Sequence, residues 1–364
     1  ALQLFQGSYP DEEIQALNGL GTVYRAQGDW DQARACFEGA LALSASGGNR
    51  FGEAEAHHFL GGVAFYQSKY EEALTYYRKA LEIRRVIGDW AGEGAGLCSL
   101  AQIASSVGNY SEAQHYLDEA LRIQRATGNR YEQVNVWNEL GVLHLFLGNL
   151  ARAQSCLQEA LAISQEIGDE QGKAYILGNL ALVMRDQGEL NKADRLLSDG
   201  LALAQAQEDG FLISIFLSHL GIVNLRAGRL RQAIDLSQEA LALRHKLDLG
   251  AWATADLTNL AAAYLASGDV DQALDYAQQA LTILDDGGAK EAEYPHEDYF
   301  ICYQVLTAGG QDKAAQAALH SAYDLVMVRA DQITDPDLRQ GFLQQVEIHR
   351  TIIREHERYQ GQRN

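Results

Sequence analysis

Apolar and small residues recur along this chain with a period of 40, and within each period they fall at the i, i+3, i+4, i+7 spacing of one helix face. Leucine stands at Leu20, Leu60, Leu100, Leu140, Leu180, Leu220 and Leu260, each followed by a small residue: Gly21, Gly61, Ala101, Gly141, Ala181, Gly221 and Ala261. A turn signal follows as Gly28-Asp29, Ser68-Lys69, Gly108-Asn109, Gly148-Asn149, Gly188-Glu189, Gly228-Arg229 and Gly268-Asp269. Next comes an apolar residue, from Trp30 and Tyr70 to Val270, then an alanine, from Ala33 to Ala273. A small-Leu pair closes each unit, from Ala40-Leu41 to Ala280-Leu281.

This spacing predicts two amphipathic helices per unit, with the glycine of the turn supplying the left-handed residue that ends the first. The small residue after each leucine and the recurrent alanine let the paired axes approach closely. Leu20, Trp30 and Phe37 in the first unit, and Leu140, Leu150 and Leu157 in the fourth, are expected to fill the seam. A lone helix pair cannot bury its apolar face, so successive pairs must stack.

The pattern resembles the tetratricopeptide repeat. Leu17, Leu20, Gly21, Tyr24, Ala33, Phe37 and Ala40 match that motif almost position for position, and Trp137, Leu140, Gly141, Ala153, Leu157 and Ala160 match it again, with His144 in the aromatic slot. Units of 40 residues, with links such as Ile87-Gly88-Asp89 and Ile167-Gly168-Asp169, are similar to the long variety found in Pins-type adaptors, kinesin light chains and the sensor arms of bacterial STAND-type regulators. The resemblance implies an all-α fold, a right-handed α-solenoid of tandem helix-turn-helix units.

Seven such units are expected over residues 11–290, a divergent eighth over 291–333, and a C-terminal capping helix and tail over 334–364. The period is disturbed by Asp285-Asp286-Gly287-Gly288 and Tyr294-Pro295. Asp335-Pro336 reads as an N-cap with proline in the first turn, opening one last helix to about Arg358. Leu338, Phe342, Val346 and Ile353 form its expected buried side, with Arg350, Arg354, Glu355 and Arg358 in water. The opening Ala1-Leu2 resembles the pair that closes a unit. Residues 1–10 are therefore expected to be the remnant of a preceding repeat, in a piece of a longer protein.

Composition narrows the function. Of 364 residues 47% are hydrophobic, enough for a large core, and no apolar run is long enough to cross a bilayer. With no signal peptide and four scattered cysteines, buried reduced thiols in a cytoplasmic protein are expected. The net charge of −20 disfavours nucleic acid and favours basic or amphipathic ligands over anionic ones.

No GxxxxGK[ST], HExxH or GxSxG motif is present, so no enzyme activity, cofactor or metal is expected. His57-His58 are helix neighbours that point about 100° apart and do not chelate, and His57 is expected in the core. The resemblance places ligand contacts on the concave face, lined by the first helix of each pair. The candidates there are Asn18, Arg25, His58, Phe65, Tyr66, Gln102, Asn138, Phe146, Tyr175, Asn179, Arg185, Arg226 and Asn259, with His219 beside them. Phe65, Tyr66 and Phe146 are expected anchors, and Arg25, Arg185 and Arg226 carboxylate or backbone clamps. Arg185 with Asp186 reads equally well as a local surface feature. The early first-helix positions Gln15, Glu55, Ala95, Gly19, Phe59 and Ser99 carry no basic residue, which argues against capture of chaperone tails.

The expected function is a non-enzymatic module that holds a protein or peptide segment and serves as sensor or scaffold of a larger, bacterial-looking signalling protein, partnered by the other domains of that chain. The alternative is a regulatory domain whose groove binds a small-molecule inducer and controls an attached ATPase or transcription-activator domain.

Overall fold

The structure is a computed structural model and describes residues 10–26, 29–67, 69–247, 249–290 and 292–361. Residues 1–9 of the expected remnant, and the turn residues Gly28 and Ser68, lie outside the described residues. Among the described residues there are 18 α-helices and no strand. None of these helices is long and apolar enough to cross a membrane.

Two bodies divide at Glu139. The first contains α1 (Pro10–Ala26), α2 (Trp30–Gly47), α3 (Arg50–Tyr66), α4 (Tyr70–Ile87), α5 (Trp90–Ser106), α6 (Tyr110–Thr127) and most of α7 (Arg130–Phe146). The second contains α8 (Leu150–Ile167), α9 (Glu170–Asp186), α10 (Leu190–Ala206), α11 (Gly210–Arg226), α12 (Leu230–Lys246), α13 (Ala253–Ser267), α14 (Val270–Asp285), α15 (Pro295–Ala308), α16 (Asp312–Gln332), α17 (Pro336–Gln344) and α18 (Glu347–Gly361). Through α12 a new helix opens every 20 residues, half the sequence period.

Local chemistry sets these boundaries. Asp29, Asn49, Asp89, Asn109, Asn149, Asp169, Asp209 and Asp269 each stand one residue before a helix and accept a hydrogen bond from a backbone N–H of its first turn. Left-handed glycines, among them Gly88 at φ 72° and Gly168 at φ 70°, end the preceding helices. Glu208 occupies the same kind of position at φ 55°, where no glycine is available.

The small residues seat the seams. A Cβ at Gly21 would lie 2.6 Å from the Phe37 ring, one at Gly61 2.8 Å from Tyr77, and one at Gly141 2.5 Å from Leu157. Alternate helices also touch within the bodies, α1 with α3 in the first and α11 with α13 and α13 with α15 in the second, so these odd-numbered helices lie side by side as a layer in each body.

Polar residues near the ends of several second helices bind the next pair. Arg84 donates to the carbonyl of Gly92 at 2.7 Å, Gln124 accepts at its backbone carbonyl from Gln133 at 2.9 Å, and Ser164 donates to the carbonyl of Asp169 at 2.7 Å. Arg244, 1% exposed, donates to the carbonyl of Trp252 and sits 2.7 Å from the Asp256 carboxylate.

The C-terminal end departs from expectation. The single capping helix is two helices, α17 and α18, broken at Gln345-Val346. Val346 does not sit on a continuous buried stripe; its side chain packs against Gly148, where an added Cβ would lie 2.9 Å from it. Phe342, His349 and Ile352 carry the burial, and Arg350, Arg354 and Arg358 stay exposed while Glu355 is half-buried. His349 donates from Nδ1 to the carbonyl of Phe342 at 2.8 Å, and its Nε2 lies 3.1 Å from Nε2 of His296, joining α18 to α15.

α15 is tied to α13 through Asp298, which accepts from Thr254 at 2.9 Å and Thr258 at 2.7 Å while buried. Burial pushes the Asp298 carboxyl up to about 7 from 3.8, against the lowering effect of the two threonine hydroxyls. The folded state therefore holds this proton more tightly than the unfolded chain. Its stabilising effect is complete below pH 3.8 and is lost as pH rises toward 7, at up to about 1.4 kcal/mol per pH unit. Asp298→Asn should flatten the fall in urea midpoint between pH 4 and 7 relative to the unmodified chain. Parallel pH profiles for the two proteins would exclude this account.

Candidate functional site

Within the first body, Arg25 at the end of α1 lies over the ring of Tyr66, 5.7 Å from its centroid. Tyr66, 60% exposed, stacks on Trp30 at 5.9 Å and meets Phe65 edge-on at 5.7 Å. Phe65 in turn faces Tyr70 at 5.9 Å. Helix periodicity brings these rings together, since Phe65 and Tyr66 close α3 while Trp30 and Tyr70 open the even helices on either side. The cluster offers one large solvent-facing ring held by a cation and a stacked neighbour.

The other candidates of this body are less open. Asn18 is buried, with neither side-chain polar atom bonded. His58 lies 5.2 Å from the Tyr77 ring, and loss of hydration, reinforced by Arg84 and Arg25, lowers its pKa to about 3, so the ring is neutral. Gln102 donates to Glu139 at 3.1 Å, and Asn138 is half-buried beside it in sequence. His57 is buried, as its place in the repeat predicted.

The second body gathers its candidates around a cavity of about 170 Å³. Phe146 from α7, Tyr175 and Asn179 from α9, and His219 from α11 all line it, so four residues separated by up to 73 positions share one wall. Three further lining residues carry no repeat signature: Trp252, Glu293 and Tyr294. Trp252 ends a 3-10 turn (Gly250–Trp252) that delays the start of α13, and Glu293 and Tyr294 precede α15. Tyr294 lies 6.3 Å from the Phe146 ring. Periodicity could not find these three; an aromatic and an acid in the aperiodic stretch before Pro295 were the available signal.

Arg185 is not an open clamp, whereas Arg226 is exposed. Arg185 is buried and donates to both oxygens of Asp186, at 2.7 and 3.2 Å, and Arg226 approaches the same carboxylate at 3.5 Å. Burial opposes the Arg185 charge, but Asp186 and Glu297 outweigh it and raise its pKa. A buried guanidinium, Arg185, thus meets an exposed carboxylate, Asp186, which the exposed Arg226 shares from the solvent side. Asn259 is buried in α13 with its amide nitrogen unbonded, and is not part of the cavity wall.

Among the described residues no three His, Cys, Asp or Glu side chains are placed to hold a metal ion, and Cys36, Cys98, Cys156 and Cys302 are buried.

Comparison with known proteins bears on the fold. No curated protein sequence matches the chain. Among solved structures, a signal-transduction ATPase with numerous domains bearing a tetratricopeptide repeat sensor, from Pyrococcus horikoshii, superposes with a TM-score of 0.60 at 16% identity. That match covers 93% of this chain, which spans 53% of the archaeal protein. A Rap protein complexed with competence and sporulation factor gives a TM-score of 0.61 at 14% identity over 97% of this chain and 99% of that one. BtubC from P. vanneervenii gives 0.51 at 22% identity over 60% and 91%. These likenesses show the fold. The tetratricopeptide repeat family model matches residues 12–85, 52–126, 132–206 and 212–286, well over half of the sequence, and the chain belongs to that family.

Proposed function

We propose that this chain is a non-enzymatic binding module that takes a peptide or protein segment on the layer of odd-numbered helices and reports its presence to other parts of a larger regulatory protein. The observation that carries the reading is that each body exposes an aromatic ring on an odd-numbered helix beside a partner group: Tyr66 of the first, next to Arg25, is 60% exposed, and Tyr175 of the second, at the cavity wall, 40%. An amphipathic ring exposed beside a fixed cation or an apolar hollow is the usual anchor of a recognised segment. Two of the similar structures, a signal-transduction ATPase with a tetratricopeptide repeat sensor and a Rap protein complexed with competence and sporulation factor, support the same reading.

A random decapeptide display library tests it. Selected peptides should lose about tenfold or more in affinity to Tyr66→Ala or Tyr175→Ala while helicity stays unchanged. Absence of selected peptides, or affinities indifferent to both substitutions, refutes it. A second reading, sensing of a small ligand, is favoured by one feature: the cavity of about 170 Å³ under Tyr294, which is compact rather than extended along many units.

A further inference from the structure

The cavity beside Phe146, Tyr175 and Phe216 is close in size to an engineered void of about 150 Å³ that admits benzene. Its wall is apolar over most of its extent, with Val142, Leu182, Leu212 and Ile215 among the lining side chains. One pair of facing polar groups stands in it. There Nε2 of His219 and Oε1 of Glu293 stand 3.7 Å apart, too far for a hydrogen bond between them and close enough for one donor to serve both. Nδ1 of the same imidazole is buried with no partner.

The polarity of this place is that of an acceptor. Burial lowers the His219 pKa, with Arg185 and Arg244 acting in the same direction and Glu293 and Asp186 against it, so the ring is neutral and keeps a lone pair. Glu293 contributes a carboxylate. Around it the second body assembles three guanidinium groups, Arg185, Arg226 and Arg244, and four carboxyl groups, Asp186, Asp256, Glu293 and Glu297, with Arg244 and Asp256 paired to each other. Asp186 is shared by Arg185 and Arg226, and Glu297 feels both. The excess carboxylate is the one that lines the cavity.

We infer that this cavity binds a primary amine carried on an apolar body the size of an aromatic ring, with the ammonium group seated between Glu293 and His219. An ammonium group has three donors and no acceptor, which suits a carboxylate and an imidazole lone pair at one site. The ring would lie against Phe146, Phe216 and Tyr294, which gives it aromatic edges and faces to pack on. An anionic ligand of the same shape would bring its charge against Glu293. The inference rests on the small-ligand reading above. The same chemistry is found in a free arylalkylamine and in the amino-terminal aromatic residue of a peptide.

The test is calorimetric titration of the whole chain with 2-phenylethylamine, 2-phenylethanol and phenylacetate, together with the tripeptide amide Phe-Ala-Ala-NH2. The amine should bind about tenfold or more tightly than the alcohol, and the anion more weakly than either. Glu293→Gln should remove the amine's advantage while leaving the alcohol's affinity within about twofold, since only the charge-assisted contact is lost. Ile215→Trp, which fills the cavity, should abolish binding of all three. The tripeptide amide binding as well as the free amine assigns the site to a peptide terminus; its exclusion assigns it to a small molecule. Phenylacetate equalling the amine, the amine's preference surviving in Glu293→Gln, or no binding by any of the three overturns the inference. A flat amine series alongside selected decapeptides defeats this inference alone, and a positive amine series without selected decapeptides defeats only the extended-peptide reading.

Discussion

Arg244→Met is expected to destabilise the α12–α13 junction by about 3–5 kcal/mol, because it leaves the Asp256 carboxylate without its counter-charge at a fully buried site. Burial already pushes the Asp256 carboxyl up to about 6 against the opposing influence of Arg244. Without the arginine the folded-state pKa rises further above 3.8. A group raised in the folded state loses its stabilising effect as pH rises, so the variant's deficit should be larger at pH 8 than at pH 5. Hydrogen exchange over residues 230–267 reads this locally, which matters because long repeat arrays need not unfold as one cooperative unit. Arg244→Met combined with Asp256→Leu should recover most of the loss, since an apolar pair of similar volume requires no buried charge. Exchange rates in Arg244→Met equal to those of the unmodified chain would show that the ion pair is not what secures the junction.

The second large effect is expected at Phe216. Its ring is 1% exposed and wedged where α9 and α10 carry glycines: a Cβ on Gly200 would fall 2.4 Å from ring atoms, and one on Gly178 3.4 Å. Phe216→Ala removes this wedge, and the expected cost is about 3–5 kcal/mol, the sum of lost transfer energy and an unfilled void. Because Phe216 also lines the ligand cavity, the void opens into it. The variant should therefore melt lower and at the same time admit a bulkier amine, 1-naphthylethylamine, that the unmodified chain rejects. A lowered melting temperature with no change in ligand size preference would place the ring in the helix seam only.

Much of this architecture was legible in the sequence because it is dictated locally and then repeated. Leu-small pairs, the Asp or Asn before many of the helices and the left-handed glycine recur often enough that each confirms the others, and an added Cβ at Gly21, Gly61 or Gly141 would meet Phe37, Tyr77 or Leu157 of the paired helix. What stayed hidden depends on single residues. Nothing at Gln345-Val346 breaks a helix by composition, yet the chain bends there where Val346 seats on Gly148, a contact across nearly 200 positions. The candidate cavity was half visible. Phe146, Tyr175, Asn179 and His219 follow from counting along the repeat, whereas Trp252, Glu293 and Tyr294 come from irregular segments that fold back onto it. Arg185 was placed on the correct helix, but its burial beside Asp186, Glu297 and Tyr294 depends on those same irregular segments.

The polar residues near the ends of the second helices have a consequence for how the chain can evolve. A perfectly regular solenoid could shed or duplicate any unit without notice, since every boundary would be alike. Here four boundaries carry different locks: Arg84 with Gly92, Gln124 with Gln133, Ser164 with Asp169, Arg244 with Trp252 and Asp256. Moving the unit that ends in Arg244 to another place would strand a buried guanidinium opposite a neighbour that offers no carboxylate. The order of the units is therefore written into side chains as well as into the covalent chain, and recombination between units is restrained even though their backbones are interchangeable.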